Sequence, residues 1–273
     1  MPEAASAAPH PSDLRVELGH AIFAFVEPHR GHEIAWNRWY ERDHFAALCA
    51  AAPWVFSTAR FVATRREKAL RYPRANPICE PAERGSFLSA VFLQRGRYED
   101  QQRWVAEQMA IHAKQGRLFE RRDVVTTAAY DLLSALRRDP DGVPPEFALD
   151  HRYPGLVLAW TERHPDVSLA RFHDWLAAEL LPARLEKSAL ALALLFTPKA
   201  KPSFWPKAAP EVPGLGDRIL VACFSEEPPA ESFARDFAEL GPAIDAGGRG
   251  RALLVAPFAP VVPGVDPQVE ALY

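Results

Sequence analysis

The sequence predicts an α+β protein in which one βαββαβ pattern is written twice, and three observations predict it. Short apolar runs of strand length recur along the chain, bounded by Pro, Gly or charged residues. Between them, two stretches in each half return to helical spacing. The order of strands and helices is the same in both halves, so the chain reads as a repeat.

The elements follow in order. An Ala- and Pro-rich arm, 1–18, precedes a first repeat over 19–137, with strands at 20–26, 54–64, 86–93 and 122–130. The second strand alternates Val55, Ser57, Ala59, Phe61 and Ala63 on one face, as a pleated strand requires. Helices fall at 34–51 and 98–116; the latter sets Trp104, Val105, Met109 and His112 near one face and stops at Gly116. A linker, 138–152, leads to the second repeat, 153–262. Its strands are 154–161, 189–196, 218–224 and 252–258, and its helices are 166–185, capped by Asp166, and 229–240. Residues 263–273 form a tail. Two Pro-rich loops, one before each third strand, are candidates to cover pocket mouths.

Composition narrows the function. With 273 residues, 48% hydrophobic and 25% charged, the chain can bury a large core. A net charge of −3 is not the basic footprint of a nucleic-acid-binding domain. The local basic run Arg65, Arg66, Lys68, Arg71 and Arg74 reads as a solvated loop. Cys49, Cys79 and Cys223 lack the spacing of a disulfide framework or a zinc site. No basic start followed by an apolar core marks a signal peptide, and the longest apolar run, 189–196, is too short for a bilayer. A cytoplasmic protein without nucleic-acid or membrane partners is expected.

Candidate chemistry gathers in the helix at 34–51. At about 100° per residue, Trp36, Trp39, Tyr40, Ala47 and Ala50 share one side, with Asp43 projecting into it. His44 lies on the flank, one turn beyond Tyr40. An imidazole near neutrality suits general acid/base work in an apolar pocket. Tyr40 can donate to a developing enolate or phenolate oxygen, and Trp36 and Trp39 can stack on a planar ligand. Laid over the helix 136 residues later, Trp36 falls on Phe172, Trp39 on Trp175, Tyr40 on Leu176, Asp43 on Glu179 and His44 on Leu180. The carboxylate recurs, which favours an ion-pairing role for it; the histidine does not. His29 and His32 invite a metal reading, but His32 and His44 are about 18 Å apart along one helix and cannot share an ion. No metal is expected. No phosphate-binding Gly-rich loop is present, and GLGD at 214–217 and GGRG at 247–250 read as turns.

The βαββαβ repeat with W-x-x-W-Y-x-x-D-H at Trp36, Trp39, Tyr40, Asp43 and His44 resembles the dimeric α/β-barrel superfamily, and within it the EthD-like branch. The motif departs at Ala46, where the branch has proline; the second half keeps Pro182 but lacks the histidine. The resemblance implies two ferredoxin-like units whose four-stranded sheets face each other as a barrel with helices outside. One chain would supply both units, as a monomer or weak homodimer. It further implies an enzyme acting on a hydrophobic aromatic or polyketide-like substrate, by cofactor-free oxygenation, isomerisation, cyclisation or decarboxylation. His44 would be the proton shuttle, with Asp43 and Tyr40 catalytic beside it, Trp36 and Trp39 binding substrate, and no cofactor. The alternatives are a non-catalytic module that binds a lipophilic ligand or serves as a partner subunit, and a haem protein with His112 as iron ligand.

Overall fold

The computed structural model describes residues 15–205 and 211–273, so most of the expected N-terminal arm lies outside the described residues. Each apolar run forms a strand: β1 (Leu18–Pro28), β2 (Val55–Val62), β3 (Phe87–Gln94), β4 (Arg122–Arg137), β5 (Gly155–Arg163), β6 (Leu190–Pro198), β7 (Arg218–Ser225) and β8 (Gly250–Pro260). They close into one antiparallel barrel in the order β1-β3-β2-β8-β5-β7-β6-β4, with β4 returning to β1. The first four strands lie in the order β4-β1-β3-β2 and the last four in the order β8-β5-β7-β6, the same sequence of neighbours in each half.

The barrel interior is solid. Inward residues of both halves interdigitate, with Phe25 stacked on Trp160 at 5.8 Å and Phe23 edge-on to Phe196 at 5.7 Å. Phe92, Phe224 and Phe258 complete an aromatic filling, all essentially inaccessible. Helices cover the outer faces. On the first half these are α1 (Glu33–Trp39) and α3 (Tyr98–Lys114), with the short α2 (Arg65–Ala69) after β2. On the second they are α4 (Leu169–Trp175), α5 (Leu181–Leu185), α6 (Pro229–Asp236) and α7 (Leu240–Ala246); α8 (Pro267–Glu270) lies in the C-terminal segment. Among the described residues no helix is long and apolar enough to cross a membrane.

Several local expectations are corrected. The helix expected over 34–51 is α-helical only through Trp39 and then winds as a π-helix over Tyr40–Ala50. The wider i→i+5 winding changes which side chains face the sheet. The helix expected to start at Asp166 begins at Leu169, because Ser168 supplies the cap, accepting from the Arg171 N–H at 3.2 Å. It too turns to π winding, over Leu176–Leu180, which begins 136 residues after Tyr40. The helix expected over 229–240 ends at Asp236, and a separate α7 starts at Leu240 with Pro242 in its first turn, where no helical N–H is needed. Finally, the basic run is no solvated loop: Arg65–Ala69 is helical under a Thr64 capping box, and Lys68 and Arg71 are buried.

The loops after β2 and β6 occupy matching places. The first drives Tyr72 between α7 and β8: its backbone pairs with Val255, its ring lies on Gly241, and its hydroxyl donates to Asp245 at 2.7 Å. With Leu70 it packs into the core beneath the second-half helices. The corresponding edge in the first half is the N-terminal part of β4. It pairs with β1 on one side, while β6 joins only from Tyr130 onward. The described residues of the loop after β6 border a cavity there.

Candidate functional site

The structure brings Trp36, Trp39, Tyr40 and His44 together, outside the barrel, between the first helix and the outer face of the sheet. Trp36 is wholly buried on Phe87 at 4.5 Å and Tyr40 at 4.9 Å, with no surface left for a ligand. The Tyr40 hydroxyl turns to Ser89 and Cys49, and burial pushes its pKa far up. Arg60 anchors the cluster: it donates to Asn37 at 2.7 Å and Glu41 at 3.2 Å and lies over the Tyr40 ring at 4.7 Å. Trp39 stacks on His44 at 4.7 Å and donates its indole N–H to the Arg117 carbonyl at 2.7 Å.

Asp43 does not project into the apolar face as expected. The π winding places it at the rim, where both its oxygens accept from the Arg117 guanidinium; that hydrogen bonding holds its pKa below the usual carboxylate value. Glu179, its counterpart in the second half, is also at the surface, 3.7 Å from Arg249. His44 is mostly enclosed, and its Nδ1 is buried without a hydrogen-bond partner. Burial first, then the positive Arg122 and the neighbouring His112, lower its pKa to about 4. The ring is therefore neutral at pH 7 and a weak base, since a good general base has a pKa near the working pH.

A cavity of about 550 Å³ lies elsewhere in the same layer, between α3, β4 and the loop after β6. Its walls are apolar side chains, Ile22, Val105, Val124, Val212 and Pro213 among them, with Trp205 from the loop and a few polar groups. Tyr98, Gln102 and Val105 reach it from α3, at the i, i+4, i+7 spacing of one helix face. Neither Tyr40 nor His44 belongs to these walls. His112, two turns beyond Val105 on α3, is buried but does not line the cavity either.

Behind Tyr98 stands a set of ionisable groups. His20 Nδ1 meets Asp131 at 2.6 Å, and Lys199 Nζ lies 2.9 Å from the same carboxylate. Burial pushes the Asp131 pKa up, but the hydrogen bonds from His20 and Lys199 outweigh it and leave the carboxyl below its ordinary value. The His20 ring is 5.7 Å from the Tyr98 ring, with Lys199 5.2 Å over it. Burial, then the charges of Asp131 and Glu99, push the Tyr98 phenol up to about 12. On the described walls Tyr98 is the one side chain of a type that ligates haem iron; the His112 expected for that role lies off the cavity.

Sequence reasoning did not single out Tyr98, Gln102 or Trp205. The walls come from β1, α3, β4 and the loop after β6, so no local motif marks them. The signal to follow was a polar pair, Tyr98 and Gln102, on the face of α3 that also carries Val105, together with the second Pro-rich loop.

No family model and no curated protein matches the sequence. Solved structures do match. An anthrone oxidase-like protein superposes with a TM-score of 0.56 at 8% identity, over 90% of this chain and 92% of the other. A chlorite dismutase-like protein superposes with a TM-score of 0.51 at 11% identity, over 93% of this chain and 100% of the other. At such identities the likeness is one of architecture: this α+β chain shares its eight-stranded fold with these two proteins.

Proposed function

We propose that this protein is a small-molecule enzyme that takes a hydrophobic, flat substrate into the cavity between α3, β4 and the loop after β6. The single observation that carries the reading is the cavity itself. Its volume of about 550 Å³ and its largely apolar walls with a few polar groups suit a small organic ligand. The contrast between the halves adds weight: Tyr72 fills the matching space in the second half, whereas the described residues of the first half border a cavity there. The equal strand orders and the π segments that begin 136 residues apart support descent from a duplicated ferredoxin-like unit, with one half kept open and the other filled. The fold neighbours, anthrone oxidase-like and chlorite dismutase-like, suggest that chemistry is done on this scaffold.

Filling the cavity tests the reading. Naphthalene, a two-ring apolar probe, is expected to bind the wild-type protein in a fluorescence titration. Val105→Trp, which places an indole in the cavity, is expected to weaken that binding at least tenfold, roughly the loss of 1.4 kcal/mol. No binding to the wild type, or equal binding to both proteins, would overturn the proposal.

One observation favours a second reading, in which His44 moves the proton: its Nδ1 is buried with nothing to bond. His44→Gln separates the two. Once a turned-over substrate is in hand, the first reading expects turnover within about twofold of wild type. A loss on the order of a hundredfold, typical for removal of a general acid or base, with naphthalene binding intact, would assign the shuttle to His44.

A further inference from the structure

We propose that Tyr98 and Gln102 form the polar recognition element of the cavity, and that the ligand it takes is an uncharged ring compound bearing a hydroxyl group. The inference rests on the cavity reading above and adds the chemistry of what fits there. Both side chains line the cavity from adjacent turns of α3. Among the described residues neither the Tyr98 hydroxyl nor the Gln102 carbonyl has a hydrogen-bond partner. The Gln102 amide is oriented by its neighbour, for its Nε2 donates to the Gln101 carbonyl at 2.7 Å and leaves Oε1 as the open end. Both residues are buried, at 5% exposure each. Both atoms stay accessible from the cavity, so an open donor and an open acceptor on one apolar wall point to an occupant that bonds both.

The two groups ask for complementary chemistry. Tyr98 offers an O–H, and its high pKa keeps the proton in place across the physiological range. Gln102 offers a carbonyl. A ligand hydroxyl accepts from the first and donates to the second. An ether or ketone answers only Tyr98, and a hydrocarbon answers neither.

Charge points the same way. The cations near the cavity already have carboxylates: Lys199 is 2.9 Å from Asp131, and Lys201 is 2.7 Å from Glu211. An anionic ligand would displace one of these pairs. His20, Asp131 and Lys199 are positioning residues here. Asp131 is fixed by the other two and its charge adds to burial in keeping the phenol protonated, while the His20 ring packs against Tyr98.

Three probes of one ring size test this: naphthalene, 2-naphthol and 2-naphthoate, titrated into the wild type, Tyr98→Phe and Gln102→Leu. The wild type is expected to hold 2-naphthol about tenfold more tightly than naphthalene, because a site built to bond a hydroxyl rejects the analogue lacking it. Naphthoate is expected to bind more weakly than naphthol. Each variant is expected to lose most of the naphthol preference while binding naphthalene as before, which also shows that its cavity has formed. If naphthalene binds and naphthol binds no better, or if the preference survives in both variants, the inference fails and the cavity reading stands. Tighter binding of naphthoate than of naphthol overturns the uncharged class. If no probe binds the wild type, the cavity reading itself fails.

Discussion

Arg71→Met is expected to cost about 3–5 kcal/mol of folding stability, because it strands several buried acceptors at roughly 1–3 kcal/mol each. The guanidinium is buried and gathers three backbone carbonyls of the loop that returns to β3. It donates to Ala82 at 2.8 Å and Gly85 at 2.6 Å, and also to Arg84. It lies 5.4 Å from the Phe25 ring centroid, so it also seals one end of the barrel interior. Methionine keeps much of the apolar stem and removes every donor, leaving acceptors in the interior with nothing to accept from. Gly85, with φ at +82°, packs its α-carbon against the same Phe25 ring, so the turn has little room to collapse into the vacancy. Arg66→Met, in the same basic run but exposed on α2, is the control, with an expected effect within about 0.5 kcal/mol. Urea denaturation of the three proteins checks the difference; a loss below about 1 kcal/mol for Arg71→Met would refute the account.

Arg71 also marks where the sequence stops being legible. Periodicity located every strand of the barrel, because alternating or continuous apolar runs are local and the sheet faces that bury them are set by the same residues. Val55, Phe61 and Phe87 could be read in that way. A basic run carries no such information. Arg65 and Arg66 point to solvent while Lys68 and Arg71 turn inward, and what separates them is the carbonyl-lined turn at 82–85 and the Ser86 hydroxyl that accepts from Lys68 at 2.7 Å. Those partners lie more than ten residues away and are assembled only when β3 joins the sheet.

The site was half legible for a related reason. The aromatic helix at 34–51 announces itself, and its side chains do cluster, but the step from α to π winding after Trp39 moved Asp43 to the rim. That step has no periodicity of its own to read. The cavity was hidden differently. Ile22, Tyr98, Val124 and Trp205 are ordinary in their own stretches, and they share a wall only because β4 outruns its pairing with β6. The length of β4, which continues to Arg137 rather than ending near Tyr130, is set by cross-strand partners on β6 and not by its own mixed pattern of Thr, Ala, Ser and Leu.

Below pH 6.5 the wild-type protein is expected to lose stability through His44, by about 3 kcal/mol between pH 7 and pH 4. The imidazole pKa is about 4 in the folded protein against an ordinary 6.5, because burial beside Trp39 and Tyr40 disfavours the cation and Arg122 adds to that. In this window the unfolded chain binds a proton that the folded one refuses, so stability is full above pH 6.5 and falls as the pH drops toward 4. His44→Leu removes the effect and installs the side chain found at Leu180, the matching position of the second half, where it packs into the core under α4. The variant is therefore expected to match or exceed the wild type at pH 4.5 and to lose its relative advantage toward pH 7. Parallel stability curves for the two proteins across pH 4–7 would show that the ring is not held neutral. A crossing of the curves would mean that the first half keeps, at a cost in acid stability, a histidine that the second half does without. Retention of that kind is what the second functional reading requires, so the two measurements on His44, stability against pH and turnover, decide between a packing residue and a working one.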